Sequence, residues 1–185
     1  MPTSVSPVRV NITIEPLEEQ DVGELITVQR AAFLREAQLY LNPFLPSLTQ
    51  TVDEILAGMS DPNRIYLVAK CGTRLVGSVR AERRGRTGHI SRLMSAPDLE
   101  GRGIGGALLN AIETAMRDRV SEFTLTAGER NTANVEMYAR HGYAKVGDAI
   151  DSAGISVVIM SKQAAPPKLR ARRQPPRRNH LSGAA

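Results

Sequence analysis

The stretch "EGRGIGGALL", residues 100 to 109, places four glycines in six positions and then runs into an apolar helix. Glycine is a poor helix former, so such a cluster at a helix start serves something that must approach the backbone. Glycines leave the first N–H groups of the helix bare, and the helix dipole favours an anion there. The chain must therefore fold so that a strand, a tight turn and an open helix N-terminus follow one another. A dinucleotide, a nucleoside triphosphate or another pyrophosphate-bearing cofactor fits that requirement. One or two glycines suffice for a turn alone.

Context removes two of these ligands. "GRGIGG" matches G-x-G-x-x-G, but "APDLE" separates the preceding apolar strand from Gly101, and Glu122 opens the next strand instead of ending it. A dinucleotide fold needs the reverse on both counts. A P-loop needs Lys and a hydroxyl after the second glycine of its longer motif, and Gly106-Ala107-Leu108 supplies neither.

The surrounding pattern predicts a mixed α/β domain. Val8, Val10, Ile12 and Ile14 alternate as a half-buried strand. Val22, Leu25, Ile26, Gln29, Ala32 and Phe33 recur at helical spacing within a helix from about Glu18 to Tyr40. "LNPFLPSLTQT" reads as a loop, after which Thr51 and Glu54 form a capping box for "VDEILAGMS". "RIYLVAKCG" and "RLVGSVRAERRG" read as strands joined by a hairpin at Gly72-Thr73, and "TGHISRLMSA" as another. The glycine helix is expected to reach about Val120, followed by strand "EFTLTA", helix "NTANVEMYARHG" and the strand pair "YAKVGDA" and "GISVVIMSK". The expectation is one α/β (α+β) domain with a mixed, mostly antiparallel sheet of about seven strands and about four helices on its faces.

Charge is unevenly spread. The net charge is +5, from 24 Lys and Arg against 19 Asp and Glu. From Gln163 onward, Lys168, Arg170, Arg172, Arg173, Arg177 and Arg178 meet no acid, so the remainder is about neutral. Residues 163–185 therefore read as a basic Pro/Arg-rich disordered tail, residues 1–8 as a flexible N-terminus and residues 9–162 as the domain. A nucleic-acid partner is not expected from a charge confined to the tail. The single cysteine, Cys71, reads as a buried strand residue and suits a reducing cytoplasm. No signal peptide and no apolar run long enough to cross a bilayer is seen, so a cytoplasmic protein with no membrane partner is expected.

"SRLMSAPDLEGRGIGGALL" resembles the segment that identifies the GNAT superfamily of acetyl-CoA-dependent N-acetyltransferases. In that family a strand ending in a hydrophobic triplet and Pro leads to Q/R-x-x-G-x-G/A. Glu100, Gly101, Arg102, Gly103, Ile104 and Gly105 fill the motif, with Glu in place of Gln or Arg. "NTANVEMYARHGY" resembles the second family signature, N-x-x-A-x-x-x-Y-x-x-x-G-[FY], through Asn131, Tyr138, Gly142 and Tyr143, with Asn134 in place of Ala. The resemblance spans residues 9 to 162. It implies a GNAT-like fold, acetyl-CoA as cosubstrate and no metal. It further implies cofactor contacts from Leu93, Met94 and Ser95, from Gly101, Arg102, Gly103, Ile104, Gly105 and Gly106, and from Asn131 and Tyr138.

The reaction so implied is direct attack of an amine on the acetyl thioester. Tyr138 is expected to protonate the departing thiolate, and the Met94 N–H to steady the developing oxyanion where the family's strand bulges. The amine needs a base. Thr126 stands where many relatives carry Glu and cannot serve. His89 occupies a position where some protein acetyltransferases of the family carry Glu, and Glu82 on the preceding strand is the alternative. The acceptor, a small-molecule amine or a peptide, is expected in a channel made apolar by Tyr40, Leu41, Phe44 and Leu45, with Arg35, Glu36, Asp53 and Glu54 at its edges. A homodimer is compatible with this reading. An acyl-CoA-binding protein without turnover, or a nucleic-acid-binding protein acting through the tail, are the other classes.

Overall fold

The computed structural model describes residues 11–165. Seven strands form one sheet: β1 (Thr13–Pro16), β2 (Arg64–Cys71), β3 (Arg74–Arg84), β4 (Thr87–Ser95), β5 (Glu122–Gly128), β6 (Ala144–Ile150) and β7 (Ser156–Gln163). Their order is β1-β2-β3-β4-β5-β7-β6. Only β4 and β5 pair in parallel; the other neighbours are antiparallel. The helices are α1 (Val22–Tyr40), α2 (Pro46–Thr49), α3 (Val52–Met59), α4 (Ile104–Met116) and α5 (Thr132–Arg140).

The elements follow the apolar periodicities closely, and the departures have local causes. A short 3-10 turn, Glu19–Asp21, precedes α1. The segment read as a loop contains α2, which starts with Pro46 in its first turn, where a missing N–H costs nothing. The capping box forms as expected: Thr51 Oγ1 accepts from the Glu54 N–H at 3.2 Å, and Glu54 Oε2 from the Thr51 N–H at 2.9 Å. α4 stops at Met116, short of Val120, where the polar run Arg117-Asp118-Arg119 begins. Cys71 is exposed, not buried, because it is the last residue of β2 before the hairpin turn. Val8, Val10, residues 1–8 and most of the basic tail lie outside the described residues. β7 runs to Gln163, and the Ala164 N–H donates to Ser121 O at 2.9 Å, one step past the expected boundary.

Two cores hold the layers. On one face α4 buries Ile104, Leu108, Leu109, Ile112 and Met116, and α5 adds Tyr138, against Val76, Val79, Ile90, Phe123, Leu125 and Met160 of the sheet. On the other face Val22, Leu25 and Ile26 of α1 and Ile55 of α3 pack on Val68, Leu75 and Met94. At about 1.5–3 kcal/mol per buried large aliphatic side chain, these contacts anchor the helices on the sheet. Gly77 of β3 sets the seating of α4. A Cβ there would lie 2.8 Å from both Met94 O and Ile104 Cγ2, so glycine lets the first turn of α4 settle beside β4.

Candidate active site

The centre of the sheet opens. β4 and β5 pair only from Thr87 and Glu122 to Ile90 and Leu125. Beyond that point β4 continues to Ser95 alongside β3, while β5 continues to Gly128 alongside β7. The divergence coincides with a bulge: Ser91 pairs with Arg80 and Met94 with Ser78, so Arg92 and Leu93 together face Val79. Arg92 takes φ 55°, a left-handed conformation that costs a non-glycine residue about 1–3 kcal/mol. Leu93, Met94 and Ser95 therefore lie along the split. The Met94 side chain is buried in the core under α1.

The glycine turn leads from the end of this strand into α4. Gly101 and Gly103 have φ 73° and 82°, conformations open to glycine at little cost. The first intrahelical bond runs from the Ala107 N–H to Gly103 O, which leaves the N–H groups of Gly103, Ile104, Gly105 and Gly106 outside the helical ladder. A Cβ on Gly101, Gly103 or Gly105 would meet open space. Gly106 is different, since a Cβ there would lie 2.8 Å from His141 Nε2. That glycine makes room for a side chain, and the other three face outward. Glu100, the motif's odd residue, pairs with Arg35 of α1 at 3.4 Å, both side chains well exposed, a contact of little net strength.

α5 carries the second signature. Tyr138 is buried, its ring edge-on to Tyr143 with centroids 6.0 Å apart. Burial pushes its phenol well above the usual range, and the charge of Glu36 pushes in the same direction. Tyr143 is a structural anchor: its hydroxyl donates to Glu113 at 2.9 Å, and Lys162 reaches the same carboxylate at 2.7 Å. Asn131 caps α5, its side-chain oxygen accepting from the Asn134 N–H at 3.4 Å. That leaves the amide NH2 as the part of Asn131 able to reach another molecule.

The candidate bases occupy different places. His89 and Glu82 are register partners across β4 and β3, inside the stretch where β4 still pairs with β5. His89 Nδ1 lies 2.8 Å from Thr124 Oγ1, and burial, helped by Arg84, lowers its pKa. Glu82 contacts Arg84 at 2.9 Å and Arg64 at 3.4 Å; the hydrogen bond from Arg84 leads in lowering its pKa. Thr126 is exposed just past the last β4–β5 pair. Glu36, placed by sequence only at a channel edge, is the carboxylate whose charge reaches both Tyr138 and Arg92. Burial first, then the charge of Asp151, raises its pKa, against the pull of Arg92. Nothing in the sequence marks Glu36 apart from other helical glutamates.

A cleft of about 600 Å³ lies on the α1–α3 side of the sheet. Gln50, Glu54, Asp61, Arg64 and Arg92 contribute to its wall. Pro46, Ala57 and Gly58 share the wall with these polar groups, and none of Tyr40, Leu41, Phe44 and Leu45 lines it. Leu45 turns into a small core with Ala37, Ile155 and Val157. Leu41 and Phe44 point to solvent, 88% and 76% exposed. The Tyr40 hydroxyl accepts from the Arg130 N–H at 2.8 Å, and its ring fits only because position 128 is glycine. Among the described residues, no helix is long and apolar enough to cross a membrane.

The family model for the Acetyltransferase (GNAT) domain matches residues 42–164. No protein of curated function matches the chain. Among solved structures, the PaiA N-acetyltransferase of Thermoplasma acidophilum, in complex with coenzyme A, is similar with a TM-score of 0.69 and 22% identity, over 83% of this chain and 99% of its own. The ribosomal-protein-S18-alanine N-acetyltransferase of Escherichia coli gives 0.70 and 14%, over 87% and 99%. The spermidine N-acetyltransferase of Vibrio cholerae, in complex with CoA and spermine, gives 0.65 and 16%, over 83% and 95%. At these identities the structures speak for the fold, while the family match rests on the sequence of this chain, its glycine turn and split strands included. The chain belongs to the GNAT acetyltransferase family.

Proposed function

We propose that this protein is an N-acetyltransferase that moves the acetyl group of acetyl-CoA to a primary amine by direct attack. The observation that carries the reading is the open glycine turn that follows β4, the strand that parts from β5; Tyr138 of α5, buried in the core with Leu125 and Ala127 of β5, supports it. The turn fits a pyrophosphate: four N–H groups lie outside the ladder at a helix N-terminus, and a Cβ at Gly101, Gly103 or Gly105 would meet open space. When bound, acetyl-CoA supplies an acetyl group activated as a thioester.

The chain's own residues do the rest. The amides from Gly103 to Gly106 hold the anionic end, and the unpaired edges of β4 and β5 receive the extended arm. Tyr138 keeps its proton at neutral pH because burial disfavours the phenolate, so it is available to protonate a leaving thiolate. Glu36 takes the amine proton: burial and the charge of Asp151 raise its pKa, which makes it a better base than an exposed glutamate. His89 is the second reading for the base. Its lowered pKa keeps it neutral, and a water chain along β4 would have to link it to the split.

The test follows free thiol released from acetyl-CoA by the full chain across a panel of amines. Amine-dependent release with acetylated product supports the transferase. Tight CoA binding with no release for any amine would replace it with an acyl-CoA-binding protein.

A further inference from the structure

We propose that the acceptor is a small amino acid, whose carboxylate is bound by Arg92 in the cleft while its amine faces the β4–β5 split. The inference rests on the transferase reading above and names its substrate class. Arg92 sits at the bulge where the split begins and also lines the cleft, so its backbone belongs to the reaction site and its side chain to the acceptor side.

The guanidinium is poorly satisfied by the protein. Its Nε donates to Gln50 Oε1 at a long 3.4 Å, and Gln50 is itself held by Gln29 Nε2 at 3.1 Å. Among the described residues it has no ion-pair partner, although it has five donors to satisfy. The carboxylates around it do not pair with it. Glu54 of α3 closes the capping box. Asp61 accepts from the Asn63 N–H at 2.9 Å and pairs with Arg64 at 3.3 Å. Glu36 of α1 acts on Arg92 through its charge, without an ion pair. On β3, Arg80 is tied to Ser91 Oγ at 3.1 Å and adds a second positive charge.

Burial, and then the charge of Arg80, draw the Arg92 pKa down to about 10, so the group is a cation in want of an anion. A fork of two parallel N–H groups matches a carboxylate in shape as well as charge. A polyamine would bring a second ammonium toward Arg92 and Arg80 and be repelled. The cleft, about 600 Å³, is of a size for one small molecule.

The experiment measures thiol release by the full chain with acetyl-CoA and matched acceptors: several α- and ω-amino acids, the carboxamide of each, putrescine and spermidine. Rates are compared per unprotonated amine. The acids should show kcat/KM at least ~10-fold above their carboxamides, a gap of about 1.4 kcal/mol, and above both polyamines. Arg92→Met should close that gap by raising KM for the acids alone, and Arg92→Lys should restore part of it. If Arg92→Met does not fold, the acid–carboxamide comparison on the unaltered chain decides. Equal use of acids and carboxamides, or preference for polyamines, overturns the proposal and leaves the transferase standing. Failure of every amine to release thiol overturns the transferase reading and this proposal with it.

Discussion

The two sides of the split are built in opposite ways. The side facing α4 and α5 is made from backbone: glycine conformations, bare N–H groups and strand edges, nearly all from residues 93–106. The cleft side is made from side chains that meet only after folding, from α2, α3, β2 and the β4 bulge. A backbone site can bind the same pyrophosphate whatever amine is used. A side-chain site is free to change with the acceptor, because no backbone geometry depends on it.

Mutations should separate the two sides. The largest effect is expected at the chemistry between them. Tyr138→Phe keeps the buried ring but removes the proton, so the acetylation rate should fall by roughly 10²–10⁴-fold with CoA affinity by calorimetry nearly intact. Equal losses of rate and affinity would place Tyr138 in the binding side instead. Glu36→Gln should lower the rate on a similar scale and abolish the acid limb of its pH profile. The sign follows from the base being active only when ionised: rate falls as pH drops through the raised Glu36 pKa. The Glu36 pKa is raised and that of His89 lowered, so the two are drawn toward one another, and His89→Gln is measured beside Glu36→Gln. A limb that survives Glu36→Gln and vanishes in His89→Gln makes His89 the base.

A smaller effect is expected at the glycine turn. Gly105 has ordinary φ and open space at its Cβ, and an acid in the first turn suits the helix dipole. Gly105→Asp should therefore keep its melting temperature and lose at least ~10-fold in acetyl-CoA affinity, about 1.4 kcal/mol. Undiminished affinity would remove the pyrophosphate from this turn. The smallest effect is reserved for the scaffold of the cleft. Thr51→Ala opens the capping box of α3 and should cost about 1 kcal/mol of stability, read by denaturant titration, with CoA affinity unchanged.

Legibility from the sequence divides along the same line. The strands, the capping box at Thr51 and Glu54, and the turn of Gly101 and Gly103 were readable, because each depends on neighbours in the chain. Tyr138 was singled out by the resemblance of its helix to the family's second signature, which starts at Asn131. Gly106 was not distinguishable from its neighbours, since the His141 ring that occupies its space arrives from α5. Leu45 and Phe44 were assigned to one apolar channel, but Leu45 is buried in a small core and Phe44 is exposed, because apolar residues in a loop do not reveal which of them turns inward. Glu36 and Arg92 carried no signal: a glutamate on a helix and an arginine on a strand are ordinary residues until their partners are known.

What the sequence determined by itself is the periodicity of the elements, the open helix start after β4 and the ligand class such a start admits. These are local properties, set by backbone conformation and by hydrogen bonds between residues close in the chain. Only the tertiary structure decided that β4 and β5 part at Ile90 and Leu125, that Arg92 stands without an ion-pair partner among the described residues, and that the charge of Glu36 reaches Tyr138. The physical reason is that burial and charge act through space, across residues far apart in the chain, and no local pattern encodes which groups will share a desolvated site.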